Sequence, residues 1–150
     1  MMNLDKLSDS PRFDASSIPL FSVIRLPIKL EGSDYKEPKR FVVLAHVNGH
    51  AYCLKTTSIV TPYFDDPSKM VGAVFYKKGS TAAFDSDTVV QPDNPFPIPY
   101  AEIELAQARG ALTVSLLPGD FGDRLCEAVQ KSETLKPVPK KRLCGVLGIK

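Results

Sequence analysis

The chain has 150 residues, 43% of them hydrophobic, and a formal net charge of +2. That length suits one domain able to bury a core, and the hydrophobic share excludes a disordered chain. So small a net charge does not by itself mark a nucleic-acid-binding protein, although it leaves room for a local basic site.

The 13 prolines and 9 glycines favour short strands and turns over a helical bundle. Cys53, Cys126 and Cys144 are far apart and odd in number, so they fit neither a zinc spacing nor a disulfide framework. Free thiols in a reducing compartment are expected. The chain opens without an apolar h-region, and no apolar run is long enough to span a bilayer. A cytoplasmic protein with no membrane partner is expected.

Residues 1–17 are polar and read as a flexible arm, leaving 18–150 as the single domain. Ile18 to Leu26 is the first strand, with Arg25 interrupting its apolar run and Pro27 limiting it. Ile28 to Pro38 is a loop. The strongest signal then follows in Lys39 to Ser58, KRFVVLAHVNGHAYCLKTTS. Two runs of β-branched, aromatic and aliphatic residues flank Asn48-Gly49, the dipeptide suited to the positive φ values of a type I′ turn.

A two-residue loop places Val47 opposite His50 and Arg40 opposite Thr57. Directly opposed residues share a face, so a guanidinium stands beside a hydroxyl at the open end of the hairpin. Phe41, Val43, Ala45, Tyr52 and Leu54 then form the apolar face. A bulge would move Arg40 and Thr57 to opposite faces.

Ile59 to Lys69 reads as a loop, Met70 to Lys77 as a strand, and Thr81 to Phe84 and Thr88 to Gln91 as two short strands. PDNPFPIP, residues Pro92 to Pro99, is excluded from a central strand because proline lacks the ladder donor. Tyr100 to Leu105 and Ala111 to Leu116 are further strand candidates. From Pro118 to Ser132 the period changes: Phe121, Leu125, Ala128 and Val129 recur at helical spacing, with Asp120 at the start. Short strands followed by a helix predict a mainly β, α+β fold, a small bent sheet or barrel with a C-terminal helix packed on it.

The chain holds no P-loop, dinucleotide fingerprint, nucleophile elbow or paired CxxC, and two histidines cannot build a multi-histidine metal site. No cofactor or metal is expected, with metal-dependent catalysis through carboxylates alone left open but without a supporting motif. Asp65-Asp66 and Asp85/Asp87 sit in turn contexts, where aspartate serves its own hydrogen bonding. His46 lies six residues from Arg40, roughly 20 Å along a strand, too far to share one phosphate. His50 belongs to the turn.

Arg40 and Thr57 are the remaining pair. A guanidinium holds a phosphate bidentately, and a hydroxyl donates to its non-bridging oxygens. A plain solvated strand end with a cross-strand Arg–Thr pair is the alternative. Lys136 to Arg142, KPVPKKR, is either a nucleic-acid contact or a solvated terminus. Phe64, Phe75, Tyr76, Phe96 and Tyr100 are either stacking surfaces for bases or core.

LFSVIRL, a polar loop, KRFVVLA and then YCLKTTS resemble the N-terminal half of the PemK/MazF-like toxins of toxin–antitoxin systems. GALTVSLLPGDFGDRLCEAV resembles that family's closing strand and helix. The resemblance covers Ile18 to Ser58 and Gly110 to Val129. It departs at Phe41, where the family usually has proline, and it has no counterpart for Met70 to Tyr100.

The resemblance implies an SH3-like β-barrel, usually a homodimer, that cuts single-stranded RNA without metal by attack of the ribose 2′-hydroxyl. It assigns Arg40 to the phosphate and Thr57 to its orientation, with Ser58 as an auxiliary. It also implies a cognate antitoxin that covers the RNA groove. Phe41 after Arg40 keeps a second expectation open, a non-catalytic SH3-like module that binds a protein or nucleic acid.

Overall fold

Asn48 and Gly49 turn the chain at φ values of 49° and 78°, the positive values that a two-residue hairpin loop demands. A computed structural model of the protein describes residues 14–28 and 37–131. Strands β2 (Glu37–Val47) and β3 (His50–Thr57) form the hairpin. Val47 faces His50, His46 faces Ala51 and Ala45 faces Tyr52, as expected. Beyond that point Val43 faces Cys53 and Phe41 faces Lys55.

The register has slipped by one residue, and the extra residue is Leu44. The slip falls where the Phe21 N–H donates to the Val43 carbonyl at 2.6 Å. Phe21 itself holds φ 66°, a left-handed conformation that is costly for an aromatic residue. Two backbone irregularities therefore meet at one hydrogen bond.

The remaining strands are β1 (Ser22–Ile28), β4 (Val74–Tyr76), β5 (Thr88–Pro99) and β6 (Thr113–Leu116). All pair antiparallel in the order β4-β5-β3-β2-β1-β6. The sheet curls into a half-barrel, giving the mainly β, α+β, barrel-like fold that the sequence predicts. Helices α1 (Thr61–Asp65), α2 (Pro67–Val71), α3 (Tyr100–Ala108) and α4 (Phe121–Lys131) complete it.

The middle of the sheet is buried on both faces. Val42, Leu44 and Leu54 pack with Val74, Val90 and the α4 residues Phe121, Leu125, Ala128 and Val129. Phe41, Val43 and Cys53 pack on the opposite side with Ile24, Leu26, Ile98 and the α3 residues Ile103 and Ala106. This corrects the expectation of one apolar hairpin face. It also explains why Phe41 to Leu44 is an unbroken apolar run, since burial on two faces removes the alternation. Ala15, placed by sequence in the arm, is fully buried in the second cluster, within a 3-10 turn spanning Ala15–Ser17. Residues 1–13 lie outside the described residues.

Several elements differ from the sequence reading. The span read as loop and then strand holds α1 and α2, each with proline in its first turn, where the missing N–H costs nothing. Asp66 caps α2 by accepting from the Ser68 amide at 3.1 Å. Only Val74–Tyr76 of the Met70 to Lys77 strand is strand, and Thr81 to Phe84 is a turn.

Tyr100–Ala108 is helix rather than strand. Its Ala, Glu, Leu and Gln content favours helix, and Ile103 and Ala106 at i, i+3 face the core. Asp120 does sit at the start of α4, its carbonyl accepting from the Arg124 amide at 3.0 Å.

Strand β5 runs on through the proline segment, which is paired on one side only and so is not the central strand that the sequence excludes. Pro95, Pro97 and Pro99 alternate along it, so their nitrogens share one edge. That edge must point away from β3, which pairs with this stretch. β4 covers β5 only from Thr88 to Val90. The prolines therefore cost the ladder no bond. Between the Gln91–Lys55 and Pro95–Leu54 pairs, three residues of β5 bulge out.

Candidate active site at the open end of the hairpin

The slip at Leu44 decides the geometry of the site. Continued from Phe41–Lys55, the register sets Arg40 beside Thr56, not Thr57. The Thr56 hydroxyl donates to the Arg40 carbonyl at 3.0 Å, a bond that ties the two strand ends together. Arg40 and Thr57 therefore project to opposite faces, which corrects the same-face expectation.

They remain neighbours at a rim. An open depression of about 290 Å³ at the strand ends is lined by Arg40, Thr56, Thr57, Ser58 and Asp85, among others. All three residues expected from the sequence reach it. Thr57 Oγ1 accepts from the Ile59 amide at 3.1 Å. That bond fixes the oxygen and leaves the hydroxyl hydrogen to be donated. Ser58 follows the strand and is exposed.

Arg40 is not idle. Its Nη2 donates to Asp85 Oδ2 at 3.2 Å, with the arginine side chain 30% exposed and the aspartate 76%. Asp85 thus departs from the turn role assigned to it by sequence. Asp87 also reaches beyond its own turn, accepting from the Lys78 amide at 2.7 Å. Asp66 keeps the turn role: hydrogen bonds from the Ser68 hydroxyl and amide hold its carboxyl below the usual carboxylate range.

A second cation was also missed. Arg25 lies directly opposite Arg40 on β1, so two guanidiniums stand on one face of the sheet. The signal was present: Arg25 is the one charge inside an apolar strand.

The histidines are structural. His46 Nε2 donates to the Ile18 carbonyl at 2.8 Å, and its Nδ1 shares a hydrogen bond with the Tyr100 hydroxyl at 2.8 Å. His50 Nδ1 donates to the Asn48 carbonyl at 2.9 Å. Neither approaches Arg40.

Of the aromatic candidates, Tyr76 is core and Phe96 packs edge-on against Phe41 beneath Lys55. Phe64 is 55% exposed while its ring rests on Phe75. Cys53 is buried, which pushes its thiol up to about 12. The Lys136 to Arg142 segment and Cys144 lie outside the described residues. Among the described residues, no helix is long and apolar enough to cross a membrane.

Comparison with known protein families and with curated proteins finds no match for this chain.

Proposed function

We propose that the protein is a metal-independent endoribonuclease that cuts single-stranded RNA at the depression holding Arg40, Thr57 and Ser58. The observation that supports this most is the meeting of a guanidinium and an oriented hydroxyl at the rim of one open, solvent-facing depression. Phosphate is the ligand such a pair suits: the guanidinium holds two non-bridging oxygens and the hydroxyl donates to one. Arg25, on the same face, adds positive potential.

In this reading the ribose 2′-oxygen attacks the adjacent phosphorus while the bond to the 5′-oxygen breaks. The 2′-hydroxyl proton is lost and the 5′-oxygen gains one, leaving a 2′,3′-cyclic phosphate and a 5′-hydroxyl. Arg40 stabilises the added charge of the transition state and assists proton transfer, and Thr57 orients the phosphate. A homodimer and a cognate antitoxin covering the groove belong to the same proposal.

A second reading has its own support. Arg40 and Thr57 project to opposite faces, and Arg40 already holds a carboxylate. Both suit a non-catalytic module that binds an anionic partner without turnover. Product analysis separates the two. Fragments that accept label from polynucleotide kinase without prior phosphatase carry 5′-hydroxyls and support the nuclease. Retention of intact RNA on the folded protein contradicts it.

A further inference from the structure

The depression at Arg40 does not end at Thr57. A second cavity of about 360 Å³ opens around the end of β3, and Thr57 and Ile59 line both. Gln91 comes to it from β5, Tyr63 from α1 and Lys69 from α2, with Pro62 and Pro92 as apolar walls. These residues belong to the part of the chain that builds α1 and α2 over the strand ends.

Gln91 is the informative residue. Its Nε2 donates to the Tyr63 hydroxyl oxygen at 3.0 Å, which fixes the plane of the amide. The bond uses one of its two N–H groups. The second N–H and the carbonyl oxygen remain for a ligand. A fixed amide of this kind reads the edge of a nucleobase through two hydrogen bonds. Proline rings and the phenol supply flat apolar surface for the base itself, and Lys69 a cation for a neighbouring phosphate.

We infer that this cavity is a base-binding subsite for the nucleotide next to the phosphate at Arg40, with Gln91 as the residue that selects the base. This rests on the RNA-cleaving reading above. Cleavage is then sequence-selective, and the selectivity resides in α1, α2 and β5 rather than in the hairpin.

The test uses the full chain and a short single-stranded RNA containing a preferred cut site, mapped first on a long RNA. The cut rate is measured for wild type and Gln91→Ala, on the intact RNA and on versions with an abasic nucleotide at either side of the cut. Wild type should lose about tenfold or more on one abasic RNA. Gln91→Ala should slow cutting of the intact RNA and lose clearly less on that abasic RNA than wild type does, because both changes remove the same amide–base hydrogen bonds.

Losses that simply multiply would overturn the subsite. Should Gln91→Ala not fold, Gln91→Glu retains the side-chain length, and its exchange of donor for acceptor should change the preferred base. An unchanged preference in that variant would also overturn the subsite. A wild type that cuts no RNA overturns the nuclease reading and the subsite with it. A wild type that cuts with independent losses overturns the subsite alone.

Discussion

Asp85 holds its carboxylate 3.2 Å from the Arg40 guanidinium across 45 residues of chain. In the proposed nuclease the carboxylate stands where a phosphate oxygen would bind, so Asp85 and RNA would compete for one cation. Asp85→Asn should raise both RNA affinity and cleavage rate. The gain should be at most about fivefold, because an exposed ion pair is worth no more than ~1 kcal/mol. Fluorescence anisotropy with a labelled oligonucleotide reads the affinity. A fall in cleavage on this substitution would instead make Asp85 part of the reacting group.

The register slip separates two adjacent threonines. Thr56 Oγ1 holds the Arg40 carbonyl, whereas Thr57 Oγ1 is positioned by Ile59 N–H at the rim. Thr57→Val should lower cleavage by about 10², the scale of one lost transition-state donor, with the urea midpoint near wild type. Thr56→Val should cost about 1 kcal/mol of stability from the lost bond and far less activity. Steady-state rates and urea titrations on the two variants check this. The reverse result would make Thr56, which the slipped register sets beside Arg40, the hydroxyl of the site.

Much of this was legible in sequence because its causes are local. Asn48-Gly49 announces positive φ, and Phe121, Leu125, Ala128 and Val129 announce a helix by spacing alone. The slip at Leu44 was not legible, because the Phe21–Val43 hydrogen bond that meets it there comes from a distant turn. Nor was α3, whose Tyr and Ile read as strand and which buries only Ile103 and Ala106. Arg40, Thr57 and Ser58 do gather at one rim, but Asp85 looked like any aspartate in a turn.

Cys53 is buried among apolar side chains, and burial raises its thiol from an ordinary 9.0 to about 12. It should resist maleimide at pH 8, whereas the half-buried Cys126 reacts. Peptide mapping of the labelled native chain checks this, and equal labelling of the two would contradict it. The raised value also fixes a pH dependence. Between about 9 and 12 the unfolded thiol ionises while the folded one stays protonated, so its stabilising contribution is present below pH 9 and lost as pH rises through that window. Urea midpoints should fall more gently over this range in Cys53→Ala.

Phe121 joins α4 to the sheet. It is fully buried, with ring contacts to Phe21 at 5.3 Å and Tyr76 at 6.3 Å. Gly122 lets Phe21 approach, since a Cβ there would lie 3.1 Å from its ring. Phe121→Ala should cost ~3–5 kcal/mol, the range for deleting a buried aromatic side chain. A loss below 1 kcal/mol in urea titration would mean that α4 is not packed on the half-barrel.

The central claim is that Arg40 cleaves RNA without a metal ion. The most direct measurement incubates purified wild type and Arg40→Ala with a long single-stranded RNA in excess EDTA, after circular dichroism has shown both to be folded. The account predicts discrete fragments from wild type and intact RNA from the variant. Equal cleavage by the two proteins, or none by either, would contradict it.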